Sequence, residues 1–261
     1  DLMRGMLGAA APDASVTLSI VSHGHAALLA GLLADIAAIP AVAEVIVTVN
    51  VPEPLVAAPG NLTGRVRWRR NVSPRGFGAN HNAAFADCKT PYFCVLNPDI
   101  RLREDPFPAL LACLAECGAA LAAPRTLAPD GSEEDSIRHF PTPAGLALKA
   151  LGKSRGTYAV AEAPFFPDWV GGMFMLFRAA DFKRIGGFDQ RFFMYYEDVD
   201  ICARLWRQGG RIVACPQASV IHAARRASHR DGRHLRWHLA SMARYFWKHL
   251  GRLPKVIEGG A

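Results

Sequence analysis

Short apolar runs alternate with longer stretches of helical spacing through the first half of the chain, and this alternation limits the fold more than any other feature. Strands are predicted at 17–22, 44–49, 66–70, 92–96 and 119–123, with helices at 26–39, 76–88 and 106–117. Strands that alternate with helices predict an α/β fold in which helices flank a mostly parallel, Rossmann-like central sheet.

Polar residues follow several of these strands, where sheets of this kind bind their ligands. Ser22 and His23 follow the first strand, Asn50 follows the second, and Asn97-Pro98-Asp99 closes the most apolar strand. A carboxylate at the sheet edge can hold a hard cation against a diphosphate. The sequence N-P-D is also typical of a turn, so spacing alone leaves both interpretations open.

A glycine-bearing loop, R-G-F-G-A-N at 75–80, runs into a predicted helix. Small residues let the backbone approach a ligand, and the start of a helix favours phosphate. An ordinary helix start explains the same pattern. The spacing differs from G-x-G-x-x-G, which argues against a dinucleotide site.

The stretch 168–207 opens with an apolar run, turns on two glycine pairs, and brings Glu197, Asp198 and Asp200 together after Tyr195 and Tyr196. Acids beside aromatic side chains are costly unless they have a partner or a task. We interpret the stretch as an acceptor-binding floor followed by a helix whose first turn carries a catalytic carboxylate.

Composition indicates one large domain, with or without a C-terminal appendage, because the chain has 261 residues of which 51% are hydrophobic. Six cysteines without a C-x-x-C pair predict buried free thiols in a reducing cytosol and argue against zinc. We expect neither a signal peptide nor a membrane-spanning helix.

The net charge of +7 comes from the C-terminal end, where nine Lys and Arg residues from Arg225 onward face two acids. Arg225 and Arg226 suit a diphosphate, or they belong to a solvated basic loop. A stripe at helical spacing then predicts either a helix docked on the domain or one lying on an anionic membrane, and the two are compatible. Its members are Leu235, Leu239, Met242, Phe246 and Leu250.

Taken together, these segments resemble glycosyltransferase family 2, and within it the bacterial rhamnosyltransferase group that builds cell-surface polysaccharide. The resemblance covers about residues 15–252 and rests on T-L-S-I-V-S, R-G-F-G-A-N-H-N, L-N-P-D, V-G-G-M-F-M-L-F-R, I-G-G-F-D-Q-R-F-F-M-Y-Y-E-D-V-D-I-C-A-R-L and V-I-H. The E-D-V-D run in its G-G-F-D context is the most specific of them.

The resemblance implies a GT-A domain at 15–222, with a donor half at 15–125 and an acceptor half at 126–222, followed by a basic helical tail at 223–261. It implies an inverting hexosyltransferase that moves a sugar, with rhamnose as one candidate, from a nucleoside-diphosphate donor. The acceptor would be a hydroxyl of a cell-surface polysaccharide such as O-antigen or of a lipid-linked saccharide. Mg²⁺ or Mn²⁺ would be the cofactor.

The resemblance also assigns roles to residues. Asp198 matches the general base, and Asp99 and His222 match the metal ligands. The expected acceptor-binding residues are Glu197, Asp200, Gly171, Gly172 and Tyr196. The expected donor-binding residues are Ser22, His23, Asn50, Arg75, Gly76, Gly78, Asn80, Asn97, Asp99, Arg225 and Arg226.

Two departures leave the donor nucleotide open. The family commonly places an Asp-Asn pair after its second strand, where this chain has Val49-Asn50, and S-H-G-H replaces the usual aromatic-asparagine pair. A non-catalytic nucleotide-sugar-binding relative and a nucleotidyltransferase of similar fold are the alternatives. The neutral, acid-bearing body argues against nucleic acid. We expect a cytoplasmic protein, peripheral on the inner membrane, and a homodimer is compatible with the sequence.

Overall fold

The strands of the chain alternate with helices as the apolar pattern predicts. The computed structural model describes residues 15–153, 156–158, 161–223 and 232–256. Its strands are β1 (Val16–Ser22), β2 (Val42–Val49), β3 (Val66–Arg70), β4 (Tyr92–Leu96), β5 (Ile100–Arg101), β6 (Leu121–Leu127), β7 (Ile137–Arg138), β8 (Trp169–Val170), β9 (Phe174–Arg178) and β10 (Ile212–His222).

Eight of these strands form one sheet in the order β3-β2-β1-β4-β9-β6-β10-β5, while β7 and β8 pair separately. The first four strands in that order are parallel, and β6 is parallel to β10. β9 runs antiparallel to both of its neighbours, and β5 runs antiparallel to β10. The predicted mostly parallel sheet is therefore confirmed, with antiparallel pairs confined to its second half.

Within the described ranges, seven α-helices connect and cover the strands. They are α1 (Ala26–Ile36), α2 (Phe77–Phe85), α3 (Phe107–Glu116), α4 (Pro143–Ala150), α5 (Ala179–Arg184), α6 (Glu197–Arg207) and α7 (Gly232–His249), with a short 3₁₀ helix at Gly60–Leu62. The strands β1, β2 and β4 of the parallel part are buried on both faces, which explains their continuous apolar runs, whereas the edge strand β3 (V-R-W-R-R) has no fully buried residue.

The core forms two layers, one on each face of the sheet. Successive side chains of β2 point to opposite faces of the sheet, so Val45 and Val47 belong to one layer and Ile46 to the other. Helices α1 and α3 cover the first layer. Helix α6 and a group of phenylalanines cover the second, and their rings contact one another at centroid distances of 4.6–5.0 Å among Phe85, Phe93, Phe177 and Phe182.

Part of the polar, turn-rich segment 129–143 forms β7, where Ile137 pairs with Val170 of β8 and Gly171 donates its N–H to Ser136 O at 2.8 Å. Residues 212–222 form one strand, β10, with a register irregularity between Cys215 and Ser219.

Helix α7 packs on the domain through a face different from its apolar stripe. Ser241, Tyr245 and His249 are buried, and the Ser241 hydroxyl donates to Met194 O at 2.7 Å. Leu235 and Leu250, which belong to the predicted stripe, are 61% and 64% exposed. The helix is thus docked on the domain and still presents apolar side chains outward. None of the helices in the described ranges combines the length and the apolar character needed to cross a bilayer.

Candidate active site

Three asparagines at the carboxyl ends of β2 and β3 and in α2 form an amide cluster. Asn71 Nδ2 donates at 2.7 Å to the side-chain oxygens of both Asn50 and Asn80. Asn50 also accepts from Arg75 N at 2.9 Å and donates to Arg75 O at 3.0 Å. The amide cluster therefore fixes the backbone of the loop before α2 and leaves the Arg75 side chain exposed at the sheet edge.

The two glycines of this loop are required by packing within the protein. A Cβ on Gly76 would lie 2.6 Å from Phe193 O, and a Cβ on Gly78 would lie 2.5 Å from the Phe188 Cβ. Phe77 N donates to the same Phe193 oxygen at 3.0 Å. These contacts account for both glycines without a ligand, so their predicted part in donor binding has no separate support in the geometry.

Ser22 and His23 follow β1 beside the amide cluster. The Ser22 hydroxyl is buried and has no hydrogen-bond partner among the described residues. The exposed His23 ring meets Asn50 Nδ2 through its Nδ1 at 3.1 Å. Burial, followed by the nearby His25, lowers the pKa of His23, so its ring is neutral at pH 7. Val49, the residue in place of the family's acid, is buried and apolar.

Asp99 and His222 meet where β5 pairs with the end of β10. His222 is opposite Ile100 in that pairing, and its Nε2 lies 3.2 Å from Asp99 Oδ2. The other ring nitrogen, Nδ1, lies 2.6 Å from Glu134 Oε2. Burial lowers the pKa of His222, but the two carboxylates outweigh that effect and raise it to about 9. The ring is therefore protonated between two acids at neutral pH.

This cluster fits a divalent cation. Asp99 Oδ1 is buried and lacks a hydrogen-bond partner within the described part of the chain, so one carboxylate oxygen is available as a ligand. Carboxylate oxygen and imidazole nitrogen are both ligands of Mn²⁺, and a cation would displace the proton of His222. In the described ranges no three His, Cys, Asp or Glu side chains form a closed metal site.

Asp198 lies in the first turn of α6 and is held by two backbone donors. Its Oδ2 accepts from Gly172 N at 3.0 Å, and its Oδ1 accepts from Val199 N at 2.8 Å. Burial raises the pKa of Asp198, although these N–H groups oppose the shift. Gly172 allows the contact, because a Cβ there would lie 3.6 Å from the Asp198 Cβ and 3.2 Å from the Phe77 ring.

Glu197 precedes Asp198 and is 6% exposed, with its Oε2 unpartnered among the described groups. Burial, together with the charge of Asp198, raises the pKa of Glu197 well above its usual range. Of the two carboxyl groups, Glu197 therefore holds a proton more readily than Asp198. The preceding Tyr195 and Tyr196 adopt left-handed backbone angles, with φ of 70° and 64°.

The residues just before β9 contact both the end of β4 and the start of α6. Asn97, two residues before Asp99, donates its backbone N–H to Met173 O at 3.0 Å. The neighbouring Gly172 is the donor to Asp198 Oδ2. The segment 171–174 therefore connects the end of β4 to the start of α6. This segment includes the predicted acceptor-floor glycines, of which Gly171 is bonded to Ser136 O and Gly172 to Asp198.

A cavity of about 710 Å³ opens beside Glu197 and Asp198. Aromatic rings, the two acids and several cations line it, and cavities of this size and mixed character suit a small polar ligand. Among its lining residues are Arg138, His139, Lys149, Trp169, Tyr195, Tyr196, Glu197, Asp198 and His238. Tyr196, predicted to bind acceptor, is thus placed on its wall.

The side chain of Asp200 does not line this cavity. Its buried carboxylate binds Arg204 Nε at 2.8 Å, Lys248 Nζ at 2.6 Å and His249 Nε2 at 2.8 Å. These contacts join α6 to the end of α7, so the structure gives Asp200 a part in docking that helix and not a place on the cavity wall. Arg225 and Arg226, predicted to bind donor, lie outside the described residues.

Several residues of the site were not predicted from the sequence. Glu134 binds His222, and Arg138 lies over the Trp169 ring at 5.5 Å and lowers the pKa of Asp198 by its charge. Glu134 and Arg138 both come from a segment without strong periodicity. The signal that was available is D-G-S-E-E-D-S-I-R-H-F-P-T, a conspicuously polar run in an otherwise apolar chain.

Known proteins agree with this architecture. Residues 162–230 match the family described as the N-terminal domain of galactosyltransferase. The chain is 31% identical over 254 residues to rhamnosyltransferase WbbL of Escherichia coli K12, covering 88% of this chain and 92% of that protein. It is 34% identical over 158 residues to N-acetylglucosaminyl-diphospho-decaprenol L-rhamnosyltransferase of Mycobacterium tuberculosis H37Rv, covering 56% of this chain and half of that protein.

Among solved structures, a mannosyltransferase from Pyrobaculum calidifontis in complex with GDP-Man and Mn²⁺ superposes with a TM-score of 0.56 at 17% identity, covering 90% of this chain and 66% of that one. This likeness confirms the predicted GT-A fold. Together with the identity to the Escherichia coli protein over most of both chains, it shows that the chain is a glycosyltransferase that belongs to family 2, in its bacterial rhamnosyltransferase-like group.

Proposed function

We propose that the chain transfers a sugar from a nucleoside-diphosphate donor to a hydroxyl of a lipid-linked or polysaccharide acceptor, with inversion at the anomeric carbon. The observation that carries the proposal is the position of Asp198, whose carboxylate borders the cavity and is fixed by Gly172 from the same segment that holds the strand end before Asp99. One segment thus bonds to the proposed base and to the strand end that precedes the proposed cation ligand.

In the proposed reaction Asp198 takes the proton of the acceptor hydroxyl as that oxygen attacks the anomeric carbon from the face opposite the leaving group. Each Asp198 oxygen accepts one backbone N–H, which orients the carboxylate and leaves a lone pair for the acceptor. The raised pKa of Glu197 favours its protonated form, which would leave one negative charge on the pair, at Asp198. The single displacement needs no enzyme nucleophile.

Asp99 and His222 would hold Mg²⁺ or Mn²⁺. The bound cation would offset the charge that develops on the departing nucleoside diphosphate. The proposal draws support from the free oxygen of Asp99 and from the Mn²⁺ bound by the Pyrobaculum mannosyltransferase. Arg75 is exposed at the same sheet edge and available to the phosphates.

We propose a diphosphate-linked saccharide as the acceptor. The acceptor named for the mycobacterial relative is of this kind, and Arg138, Lys149 and His238 line the cavity on this chain. The exposed apolar stripe of α7 would then lie on the anionic inner leaflet that carries such acceptors. The free cysteines of the described ranges agree with a reducing, cytoplasmic compartment.

The test of the base is Asp198→Asn, assayed for sugar transfer with the purified chain. Loss of a general base lowers turnover by about 10²–10⁴-fold, and we expect a fall of that size in kcat with little change in donor binding. Asp181→Asn, which changes a surface acid on α5, serves as the matched control. Turnover of Asp198→Asn close to that of the control would remove Asp198 from the role.

The test of the cation is chelation. We expect EDTA to abolish transfer and Mn²⁺ or Mg²⁺ to restore it, because a cation held by Asp99 and His222 would offset the charge of the departing diphosphate. In Asp99→Asn, which keeps the size of the side chain and removes its charge, the metal concentration for half-maximal activity should rise. Undiminished transfer in EDTA contradicts the metal proposal while leaving that for Asp198 intact.

A further inference from the structure

An apolar cavity lies between the start of α4 and the end of α7, and the proposed reaction makes no use of it. Its volume is about 270 Å³. The residues that line it are Pro141, Thr142, Pro143, Tyr245, Phe246, His249, Leu250, Gly251 and Leu253. This lining contains no Lys, Arg, Asp or Glu among the described residues, so the apolar cavity does not suit a charged ligand.

The polar side chains of the lining are mostly engaged within the protein. Thr142 Oγ1 accepts from Gly145 N at 3.0 Å. His249 Nε2 lies 2.8 Å from Asp200 Oδ1, while His249 Nδ1 has no partner among the described residues. The apolar cavity therefore presents mainly carbon, and burying a hydrocarbon ligand against that carbon is favourable.

The apolar cavity adjoins the catalytic cavity beside Asp198. Pro141 and Thr142 line both of them. Tyr245, from the apolar cavity, donates its hydroxyl to Pro141 O at 3.2 Å. The Tyr245 ring lies 5.3 Å from the ring of Tyr196, which lines the catalytic cavity. A ligand with one polar and one apolar end would therefore meet both cavities at Pro141 and Thr142.

The two cavities and the surface of α7 differ in chemical character. The catalytic cavity contains the proposed base Asp198 and the cations Arg138 and Lys149. The apolar cavity adjoins it, and Leu250 on its wall also belongs to the exposed stripe of α7. A saccharide linked to a lipid through a diphosphate has a matching order of groups, which is an acceptor hydroxyl, two phosphates and a hydrocarbon chain.

We propose that the apolar cavity binds the isoprenoid chain of a lipid-linked acceptor, at the units next to its diphosphate. The inference rests on the proposed function, in which the acceptor is a diphosphate-linked saccharide, and adds the site of its lipid. In a prenyl diphosphate the hydrocarbon begins at the phosphate oxygen. The chain can therefore enter the apolar cavity while the phosphates remain beside Arg138 and Lys149. A glycerophospholipid has polar ester groups at that point.

The experiment measures the binding of diphosphates of increasing chain length to the purified protein by titration calorimetry. The probes are inorganic pyrophosphate and the dimethylallyl, geranyl and farnesyl diphosphates, below the concentrations at which they self-associate. EDTA is present, so that no cation holds a diphosphate at Asp99 and His222. We expect farnesyl diphosphate to bind at least about tenfold more tightly than pyrophosphate, because each buried methylene makes binding more favourable.

Leu250→Ser and Leu235→Ser form a matched pair of variants. The two leucines are 64% and 61% exposed, but Leu235 does not line the apolar cavity. We expect Leu250→Ser to weaken farnesyl diphosphate by about threefold or more and to leave pyrophosphate within about twofold. Leu235→Ser should bind both probes as the wild type does. The double variant Leu250→Ser/Leu253→Ser should lose about tenfold, with its fold followed by circular dichroism.

Other results overturn the inference. Equal affinity of the wild type for pyrophosphate and farnesyl diphosphate would remove the lipid site and leave the diphosphate-linked acceptor of the proposed function intact. An effect of Leu250→Ser no larger than that of Leu235→Ser would mean that the chain adsorbs to the surface of α7. Tighter binding of lysophosphatidylglycerol than of farnesyl diphosphate would assign the apolar cavity to bilayer lipid. If the wild type binds none of the diphosphates, pyrophosphate included, the proposed acceptor fails as well.

Discussion

At the scale of single residues, burial raises the pKa of Asp198 in the first turn of α6. The main cause is the removal of the Asp198 carboxylate from water. The pKa of the neighbouring Glu197 is raised further. The base must be ionised to accept a proton, so activity is lost as pH falls through the raised value. We therefore expect the acid limb of kcat/KM to lie above the ~3.9 of an ordinary aspartate.

The measurement is a pH profile of transfer with the fold followed by circular dichroism. The limb reports the Glu197 and Asp198 pair and not one residue. In Asp198→Asn the residual rate should lose this limb, while Asp181→Asn should keep it. An acid limb at or below the ordinary value, with the protein still folded, would mean that burial does not set the pKa of the active base.

At the scale of elements, the buried charge of Asp200 holds α7 against α6. Burial raises the pKa of Asp200, but the bonds from His249, Arg204 and Lys248 outweigh it and lower the pKa below its usual value. The stability from this depressed pKa is complete above ~3.9, the unfolded value, and is lost as pH falls through the folded one. The docking of α7 should accordingly weaken in acid.

Asp200→Asn tests this docking at neutral pH. It leaves buried cations without their charge partner, a change that typically costs about 3–5 kcal/mol, so urea unfolding should shift to clearly lower denaturant. Asp181→Asn breaks a surface pair with Arg184 and should cost at most ~1 kcal/mol. Equal losses in the two variants would show that the buried cluster does not stabilise the contact between the helices.

The same elements show what sequence could and could not predict. The strand at 92–96 is found at Tyr92–Leu96, because continuous burial leaves a continuous apolar run. The packed face of α7 was not predictable, since Ser241 and His249 are buried through specific partners, Met194 O and Asp200, that only the tertiary structure supplies. Glu134 was missed for a similar reason, because its role depends on a histidine 88 residues away.

At the scale of the whole molecule, charge and exposed apolar area coincide at the C-terminal end. Leu235, Leu239 and Leu250 of α7 are each at least 49% exposed, and the net positive charge comes from the same region. We expect the chain to sediment with vesicles containing phosphatidylglycerol and much less with phosphatidylcholine alone. Changing the three leucines to serine should reduce binding roughly tenfold or more, given ~1.5–3 kcal/mol for each fully buried leucine.

Leu55→Ser is the matched control, since Leu55 is 74% exposed on the segment after β2. Raising the salt concentration should weaken vesicle binding of the wild type, because exposed charges are screened. Vesicle binding unchanged by the three substitutions would contradict a role for α7 at the membrane. If the substitutions instead dissociate a dimer in sedimentation, the stripe contacts a second copy.

The two left-handed tyrosines before α6 have a consequence for engineering. Backbone in that region costs about 1–3 kcal/mol for each residue other than glycine, yet Tyr196 must keep its ring, which packs on Tyr245 and lines the cavity. A glycine at position 196 would remove the backbone strain, but it would also remove the ring that lines the cavity. Selection for thermal stability alone should therefore favour glycine at position 196 and yield stable variants with impaired catalysis.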